Sequence, residues 1–314
     1  MKIYINQANE NWICDRIRED FIRECPDLIS NSIKESDIIW LISPWLWGNI
    51  PLSILKSKIV VCTIHHVDPG KFDKNEFMLR DSYIDLYHVP NAHTHDYISQ
   101  LIDPKKIKTI SYWYRSDKWF PVDKKDLSLE IRLPKGSPLV IGSFQRDTEG
   151  HDLRSPKLSK GPDIFCDILG LLDPVPFVIL AGWRRQYVIS RLQDLNIPFA
   201  YLENISDDNL NQLYNFLDLY LVTSRHEGGP QSILECAASR TPILSTNVGI
   251  AKNVLPSRYI CDTIKSFHNK IKSYLKFYDT EYNYKSVQEY NLANLKKEYI
   301  KLFFSAYEDF NRNS

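Results

Sequence analysis

The segment from Ser224 to Glu235 combines the residue types of an anion-binding turn within a chain of 314 residues. An apolar run, Leu219–Thr223, predicts a strand that leads into a short polar loop, two glycines and then Pro230. Proline suits the first position of a helix, so the loop sets the free N–H groups of a helix N-terminus beside glycine backbone that a ligand can approach closely. These features predict a binding site for a diphosphate.

Two carboxylates flank this turn, Glu227 before the helix and Glu235 two turns along it. A carboxylate only accepts hydrogen bonds, so it suits both hydroxyls of a vicinal diol. A nucleoside diphosphate sugar carries a diol at each end of its diphosphate and matches the pattern. A helix with one glutamate near its N-terminus and another on its solvent face would show the same spacing, since a Glu-x7-Glu pair is common by chance.

Short β-rich runs alternate with helical segments in the first half of the chain. The run Ile59–Ile64 is nearly all apolar, which suits a parallel strand covered on both faces. Apolar residues at positions 13, 17 and 21 predict a helix over Asn11–Glu24. This alternation predicts a doubly wound parallel α/β sheet. The predicted strands are Lys2–Ile5, Asp37–Ile42, Lys58–Ile64, Asp85–Val89 and Ile107–Ser111.

The second half repeats the alternation and holds nine of the eleven glycines, four of which follow or lie in predicted strands. Ligands of open α/β sheets bind at the carboxyl ends of strands, so this half is the predicted nucleotide-binding half. The predicted strands are Pro138–Phe144, Pro176–Ala181, Phe199–Leu202, Asp218–Thr223 and Pro242–Thr246. The predicted helices are Pro162–Leu171, Arg185–Leu195, Asp207–Phe216 and Pro230–Ser239.

A proline-containing, charged segment with little periodicity, residues 121–138, predicts the linker between two domains. We therefore expect an N-terminal domain over residues 1–125 and a nucleotide-binding domain over 126–270. Residues 271–314 form the third predicted part. Within it, Thr280–Asn313 is a charged amphipathic stretch and predicts a terminal packing helix.

The Ser224–Glu235 segment, with its surroundings from Asp218 to Gly249, resembles the E-x7-E region of family 4 glycosyltransferases. The resemblance implies the GT-B fold: two Rossmann-like domains facing a cleft, with a C-terminal helix that crosses back to the first domain. It also implies roles for the motif. Glu227 would contact the transferred sugar and Glu235 the ribose, while the segment between them, with Gly228, Gly229, Gln231 and Ser232, would hold the diphosphate.

Two cations of that family's diphosphate site can also be placed in this sequence. Members carry an arginine soon after the first strand of the second domain and a Lys-Gly pair later, which correspond to Arg146 and Lys160. An arginine fork and a lysine point charge suit a leaving diphosphate. The gap between them is longer than usual, and it contains Arg154 and Lys157, either of which could substitute as a phosphate contact.

Histidines in the first half suggest an acceptor side. Thr63-Ile64-His65 is similar to a Thr-x-His pattern of the family, in which the histidine lies near the anomeric carbon. His65 could therefore hydrogen-bond the sugar or pass a proton, and His66 is a weaker candidate. Pairing of this histidine with a carboxylate such as Asp68 is the structural alternative. His93 and His95 lack cysteine or glutamate partners nearby, so we expect no metal site there.

The acceptor itself is not defined by the sequence. Trp45 and Trp47 could stack on a sugar, pack in the core or lie at a membrane surface, and these alternatives remain open. The loop after the first predicted strand, Asn6–Trp12, lacks the glycine-rich turn that many family members carry. Acceptor binding there is therefore expected to differ from that of the family.

Composition excludes several classes of protein. Lysine plus arginine equals aspartate plus glutamate at 39 each, which argues against a nucleic-acid partner. The N-terminus lacks the apolar core of a signal peptide, and no run of about 18 apolar residues predicts a membrane span. Six scattered cysteines predict buried reduced thiols and a cytoplasmic protein.

No Asp-x-Asp motif is present, which fits a site that needs no metal and no cofactor beyond the nucleotide sugar as co-substrate. The resemblance implies a retaining transfer from a UDP- or GDP-sugar to a hydroxyl of a glycan or lipid-linked acceptor. A lipid-linked acceptor leaves room for peripheral membrane contact. A sugar-nucleotide epimerase of the same fold and a non-catalytic nucleotide-sugar-binding protein are the alternatives.

Overall fold

The computed structural model describes residues 1–9, 13–136, 138–274 and 278–313. The chain forms two compact units. The first consists of Met1–Tyr112 together with Leu292–Ser314, and the second consists of Trp113–Asn291. Each unit contains a five-stranded parallel sheet with helices between its strands, so the predicted α/β class is confirmed.

The sheet of the first unit has the order β1-β2-β3-β4-β5, and its strands pair in parallel throughout. All five residues of β3 are buried, as the apolar run predicted for a strand covered on both faces. The strands are β1 Ile3–Ile5, β2 Ile38–Leu41, β3 Ile59–Thr63, β4 Leu86–Val89 and β5 Ile107–Thr109. The helices are α1 Ile13–Glu24, α2 Leu52–Leu55, α3 Lys74–Asp81 and α4 Ala92–Ile98. The predicted start of the first helix, at residues 11 and 12, lies outside the described residues.

The sheet of the second unit has the order β10-β9-β6-β7-β8 and is also parallel throughout. Its strands are β6 Val140–Ser143, β7 Phe177–Ala181, β8 Phe199–Leu202, β9 Leu219–Val222 and β10 Ile243–Ser245. Its helices are α5 Pro162–Gly170, α6 Gln186–Asp194, α7 Asp207–Phe216, α8 Gln231–Ala238, α9 Ala251–Val254, α10 Ile264–Tyr274 and α11 Thr280–Val287. Each predicted strand and helix of this half is confirmed to within a few residues.

The predicted C-terminal stretch is divided rather than continuous. A 3-10 turn at Gln288–Tyr290 separates α11, which belongs to the second unit, from α12 (Leu292–Asn313), which belongs to the first. Tyr299 and Phe303 of α12 pack against the buried rings of Phe21 and Trp40, with ring centroids 5.1–6.5 Å apart. This aromatic contact attaches the terminal helix to the first unit.

The segment predicted as the linker is part of the second unit, which begins at Trp113, before the predicted boundary at 125. Two buried asparagines of α7 explain this difference. The Phe120 N–H donates to Asn211 Oδ1 over 3.3 Å, and the Val122 N–H donates to Asn215 Oδ1 over 2.7 Å. Prolines and charges suggested an open chain, but these long-range hydrogen bonds fix its first part on α7.

Two further observations concern the whole described chain. All six cysteines are buried and none of them forms a disulfide, as predicted. Across the part of the chain that the structure describes, none of the helices is both long enough and apolar enough to cross a membrane.

Candidate functional site

The loop between β9 and α8 is held by two glycines that approach backbone closely. Gly161 lies in the left-handed region with φ +61°, and a Cβ there would come within 1.9 Å of the Thr223 carbonyl oxygen. Gly249, with φ +54°, stands in the same relation to the Gly229 carbonyl oxygen, again at 1.9 Å. Any side chain at either position would push the loop away, so both glycines are required by packing as well as by conformation.

The same loop is joined to the 3-10 turn Leu158–Lys160. The N–H groups of Arg225 and His226 donate to the Ser159 carbonyl over 2.8 and 3.1 Å. The Arg225 guanidinium also makes a bidentate pair with Asp163 of α5, at 2.8 and 2.7 Å. These contacts fix the two segments that carry Glu227 and Lys160 against each other.

Lys160 and Glu227 form an ion pair at the centre of this arrangement. Lys160 Nζ lies 2.5 Å from Glu227 Oε1, and the side chains are only 13% and 10% exposed. The Ser224 hydroxyl lies 3.1 Å from the same carboxylate oxygen. The Gln145 amide donates to the Lys160 carbonyl over 2.8 Å. A cation and a carboxylate from different segments are thus placed together, a pairing that was not predicted from the sequence.

Arg146 lies on the segment that follows β6, at the carboxyl edge of the same sheet. Its Nε donates to the Thr148 carbonyl over 2.7 Å, and its guanidinium lies 5.3 Å from the centroid of the exposed Trp183 ring. The pKa of Lys157 is lowered to about 8. Burial of the Lys157 side chain is the main cause, and the positive charges of Lys160 and Arg146 add to it. Arg146 and Lys160 therefore both lie within electrostatic range of Lys157.

The residues predicted on α8 are turned to internal partners. Glu235 is 3% exposed, and one of its carboxylate oxygens accepts a hydrogen bond from the Tyr214 hydroxyl over 2.8 Å. The Gln231 amide donates to the Trp113 carbonyl, and the Ser232 hydroxyl hydrogen-bonds that of Tyr220. Gly228 and Gly229 are buried in the loop before the helix. The alternative in which Glu235 lies on the solvent face of its helix is therefore excluded.

His65 lies in the first unit, after the end of β3, with both ring nitrogens engaged. Its Nε2 faces the Ile42 carbonyl at 2.7 Å and therefore carries the proton, so its Nδ1 accepts from the Tyr112 hydroxyl at 2.5 Å. Burial lowers the pKa of His65 to about 4. The imidazole is thus neutral at physiological pH and hydrogen-bonded within the unit. This geometry disfavours His65 as a proton carrier.

The remaining candidates of the first unit lie at or near the surface. Trp45 is 49% exposed, with its ring centroid 6.1 Å from that of His65, whereas Trp47 donates to Glu76 of α3 over 2.7 Å. His66 is exposed. His93 and His95, expected on a loop, lie in the helix α4, where His93 is exposed and His95 contacts Asp96.

A buried ion pair next to the site was not predicted from the sequence. Arg185 is fully buried and donates to Asp147 over 2.9 Å, to the Ala181 carbonyl over 3.0 Å and to the Ser143 carbonyl. It therefore connects the carboxyl ends of β6 and β7. The sequence marked Arg185 only as the start of a helix, because nothing local distinguishes a buried arginine from an exposed one.

A groove of about 900 Å³ lies elsewhere in the second unit. Leu139, Asp218 and Pro242 line it, and each of them immediately precedes a strand. It therefore opens at the amino ends of the strands, whereas the Lys160–Glu227 site lies at their carboxyl ends. Ligands of open α/β sheets bind at carboxyl ends, so we assign no role in catalysis to this groove.

Comparison with known proteins identifies related chains. Residues 154–286 match the family model "Glycosyl transferases group 1". The alpha-galactosylglucosyldiacylglycerol synthase of Streptococcus pneumoniae is 23% identical over 52% of this chain, and the alignment spans 44% of that relative's length. The O-antigen chain mannosyltransferase RfbU of Salmonella typhimurium is 22% identical over 91% of this chain and 87% of its own.

Solved structures of low sequence identity share the fold. HepE of Anabaena in complex with UDP and glucose superimposes with a TM-score of 0.77 at 14% identity, covering 97% of this chain and all of HepE (100%). Sucrose-phosphate synthase of Thermosynechococcus elongatus gives a TM-score of 0.69 at 14% identity, covering 97% of this chain and 81% of its own. These structures show that the chain has the GT-B fold. The family match over residues 154–286 and the two curated relatives support a glycosyltransferase.

Proposed function

We propose that this protein transfers a sugar from a nucleoside diphosphate sugar to a hydroxyl group of a glycan or lipid-linked acceptor, with retention of configuration and without a metal. The single observation that carries the proposal is the pairing of Lys160 with Glu227 beside the Gly228–Gly229 loop that precedes α8, with Arg146 after the carboxyl end of β6 in the same sheet. Cations and a carboxylate placed together suit a substrate with a charged diphosphate and a neutral sugar diol.

The cations would act on the leaving group. As the bond from the sugar to the diphosphate breaks, negative charge grows on the departing oxygen, and positive groups already in position stabilise it without reorganisation. Arg146 offers a planar fork and Lys160 a point charge. Backbone N–H groups at the start of α8 add a partial positive charge of their own.

Glu227 would orient the donor sugar through its hydroxyls. Its carboxylate is held by Lys160 at 2.5 Å and lies 3.1 Å from the Ser224 hydroxyl, so its position is fixed before a sugar arrives. In a retaining transfer of this kind, the departing phosphate itself would take the proton of the acceptor hydroxyl. This assignment fits His65, whose ring nitrogens already have internal partners.

Glu235 remains our candidate for the ribose hydroxyls. The Tyr214 hydroxyl occupies one lone pair of its carboxylate and fixes the orientation of the group. An ionised carboxylate has about four acceptor positions, so a bound ribose could share it with Tyr214. The low exposure of Glu235 means that a ribose would reach it from the loop side of α8.

The names of the related proteins indicate which class of sugar donor to test first. HepE was solved with UDP, and a second HepE structure contains UDP-glucose. RfbU is named as a mannosyltransferase, and the pneumococcal relative as a galactosylglucosyldiacylglycerol synthase. These names support a hexose as the transferred sugar, UDP as its carrier, and either a glycan or a lipid-linked acceptor, and we keep GDP as the second candidate carrier. Six buried cysteines without disulfides are typical of proteins in the reducing environment of the cytoplasm, where we propose that this protein acts.

A thermal-shift screen against UDP, GDP, ADP and their sugars tests the proposal first. A ligand that binds the folded protein raises its melting temperature, so the nucleotide that stabilises it names the base. Incubation of that donor with candidate acceptors should then release the nucleoside diphosphate, and NMR of the product should show the donor's anomeric configuration.

Each alternative function predicts a different result of the same experiments. An epimerase would convert the donor sugar without any acceptor. A binding protein would be stabilised by the donor without releasing a diphosphate. Inversion at the anomeric carbon would contradict the proposed retaining course.

A further inference from the structure

Residues 147–157, which follow Arg146, form a closed hairpin. Thr148 and Pro156 form an isolated antiparallel bridge, and the Lys157 N–H donates to the Asp147 carbonyl over 2.8 Å. The two ends of the hairpin are therefore hydrogen-bonded to each other. The last residue of the hairpin, Lys157, lies beside the first, and both are close to the end of β6.

The base of this hairpin is attached to the sheet by a buried ion pair. Asp147 is 1% exposed and accepts from Arg185 Nε over 2.9 Å. Arg185 in turn donates to Ser143, at the end of β6, and to the Ala181 carbonyl, at the end of β7. A buried pair with this many hydrogen bonds fixes the backbone at Asp147, and through the 2.8 Å bond it fixes Lys157 as well.

The hairpin thereby places Lys157 close to Arg146 and Lys160, and we call these three residues the cation cluster. Its carbonyl accepts from the Lys160 N–H over 2.8 Å, so the two lysines flank one 3-10 turn. Its pKa falls to about 8, chiefly through burial and then through the charges of Lys160 and Arg146, while Glu227 and Glu149 oppose the fall. Two cations and two carboxylates therefore act on Lys157, and together with its own charge these five groups carry an excess of one positive charge.

Arg154 occupies a different part of the same hairpin. It is exposed, and its N–H donates to the Asp152 carboxylate at the turn over 3.0 Å. The charges of Arg146 and Lys160 both lower the pKa of Lys157, whereas Arg154 lies at the exposed turn of the hairpin. Lys157 and Arg154, the two basic residues between Arg146 and Lys160, thus differ in environment. Lys157 is partly buried and belongs to the cation cluster, whereas Arg154 is exposed.

We propose that Lys157 is a third cationic contact to the diphosphate of the donor, delivered to the site by the hairpin of residues 147–157. This inference rests on the proposed function. It also explains why the segment between Arg146 and Lys160 is long. The additional residues form a hairpin that brings a lysine back to the site of the donor's diphosphate. A dianionic diphosphate offsets the excess positive charge of the cluster and raises the proton affinity of Lys157.

Calorimetric titration with the nucleoside diphosphate found by the thermal-shift screen tests the inference. Lys157→Met should raise the Kd of that diphosphate about 10-fold or more, the loss of one charge-assisted hydrogen bond. Lys157→Arg should restore most of the affinity. Arg154→Met, and Lys265→Met on the exposed face of α10, each remove one positive charge and should leave the Kd within about twofold.

The pH dependence supplies a readout that a purely structural role would not change. Lys157 loses its proton as the pH rises above its pKa of about 8. Binding of the diphosphate by the wild type should therefore weaken between pH 7.5 and pH 9.5, and Lys157→Met should lack this component.

Wild-type affinity and wild-type pH dependence in Lys157→Met, with a loss of affinity in Lys160→Met, would overturn the inference and leave the proposed function standing. A loss of affinity in Arg154→Met instead of Lys157→Met would overturn it equally. Failure of the wild-type protein to bind any of UDP, GDP or ADP would contradict the proposed function itself and the inference with it.

Discussion

Lys160 Nζ lies 2.5 Å from Glu227 Oε1, and both side chains are largely buried. The cation assigned to the donor's diphosphate and the carboxylate assigned to its sugar are therefore one electrostatic unit. A donor must share Lys160 with Glu227, which couples recognition of the phosphate to the orientation of the sugar. Two segments far apart in the chain achieve this because Ser159 accepts two hydrogen bonds from the loop that carries Glu227.

Replacement of Lys160 should weaken donor binding strongly. Lys160→Met removes a cation from the diphosphate and leaves Glu227 with less compensation, so we expect the Kd of the donor to rise about 10-fold to 100-fold. Isothermal titration measures it, with Lys265→Met as the matched control for loss of a lysine charge. An unchanged Kd would remove Lys160 from the donor site.

Variants of Glu235 and Tyr214 should distinguish a role of Glu235 in donor binding from a role in the stability of the fold. Tyr214→Phe removes only the 2.8 Å hydrogen bond and should lower the free energy of unfolding by about 1–3 kcal/mol, because it leaves a buried acceptor unsatisfied. Glu235→Gln can still accept from Tyr214 but loses the charge offered to a ribose, so its main effect should be a higher Kd for the donor. Urea unfolding and calorimetry measure the two quantities. A Glu235→Gln variant with wild-type donor affinity contradicts the ribose assignment.

The two glycines at the loop should tolerate no side chain. Gly161→Ala and Gly249→Ala each place a Cβ within 1.9 Å of a backbone oxygen at a left-handed φ, so each should lose at least about 2 kcal/mol of unfolding free energy. Gly48→Ala is the control, since no atom lies within 4 Å of a Cβ there. Equal stability of all three variants by urea unfolding would show that the loop is not packed as described.

Buried histidines of the first unit should make stability depend on pH. His88 is fully buried, and burial lowers its pKa to about 4, as it does for His65. The pKa of histidine in the unfolded chain is about 6.5, so below that pH the unfolded chain binds a proton that the folded chain does not bind. The free energy of unfolding is therefore highest above about pH 6.5 and falls as the pH decreases toward 4. Between pH 7 and pH 5, each of the two histidines should account for a loss of about 2 kcal/mol.

The variant His88→Gln checks this pH dependence. It should reduce the fall in unfolding free energy by one histidine's share, whereas His93→Gln, at an exposed position, should leave it unchanged. Urea unfolding at pH 7 and pH 5 gives the values. A fall that is the same in His88→Gln as in the wild type would refute the assignment.

The sequence predicted the sheets well because their signals are local. Runs such as Ile59–Thr63 are apolar over the full length of a strand, and Pro162 starts a helix where proline is favoured. What the sequence could not show depends on distant partners. Asp147 and Arg185 pair across 38 positions, and Asn215 holds Val122 across 93 positions.

The candidate site shows the same division. Motif and spacing placed Glu227 and Lys160 as separate contacts, but their direct pairing required the fold. The sequence left open whether Glu235 lies on the solvent face of its helix, because the partner that decides this, Tyr214, is 21 positions away in the chain. The long gap before Lys160 was visible in the sequence, yet only its folded hairpin distinguishes Lys157 from Arg154.

Turnover by Glu227→Gln tests the central claim most directly. Glutamine keeps the shape of the side chain and its contact with Ser224 but loses the charge that pairs with Lys160 and holds the sugar. With the donor and acceptor identified by the screen, we expect kcat/KM to fall about 100-fold or more, while the melting temperature changes by only a few degrees because Glu227 lies on a loop. Near-normal turnover by this variant would contradict the assignment of the Glu227 loop as the donor site.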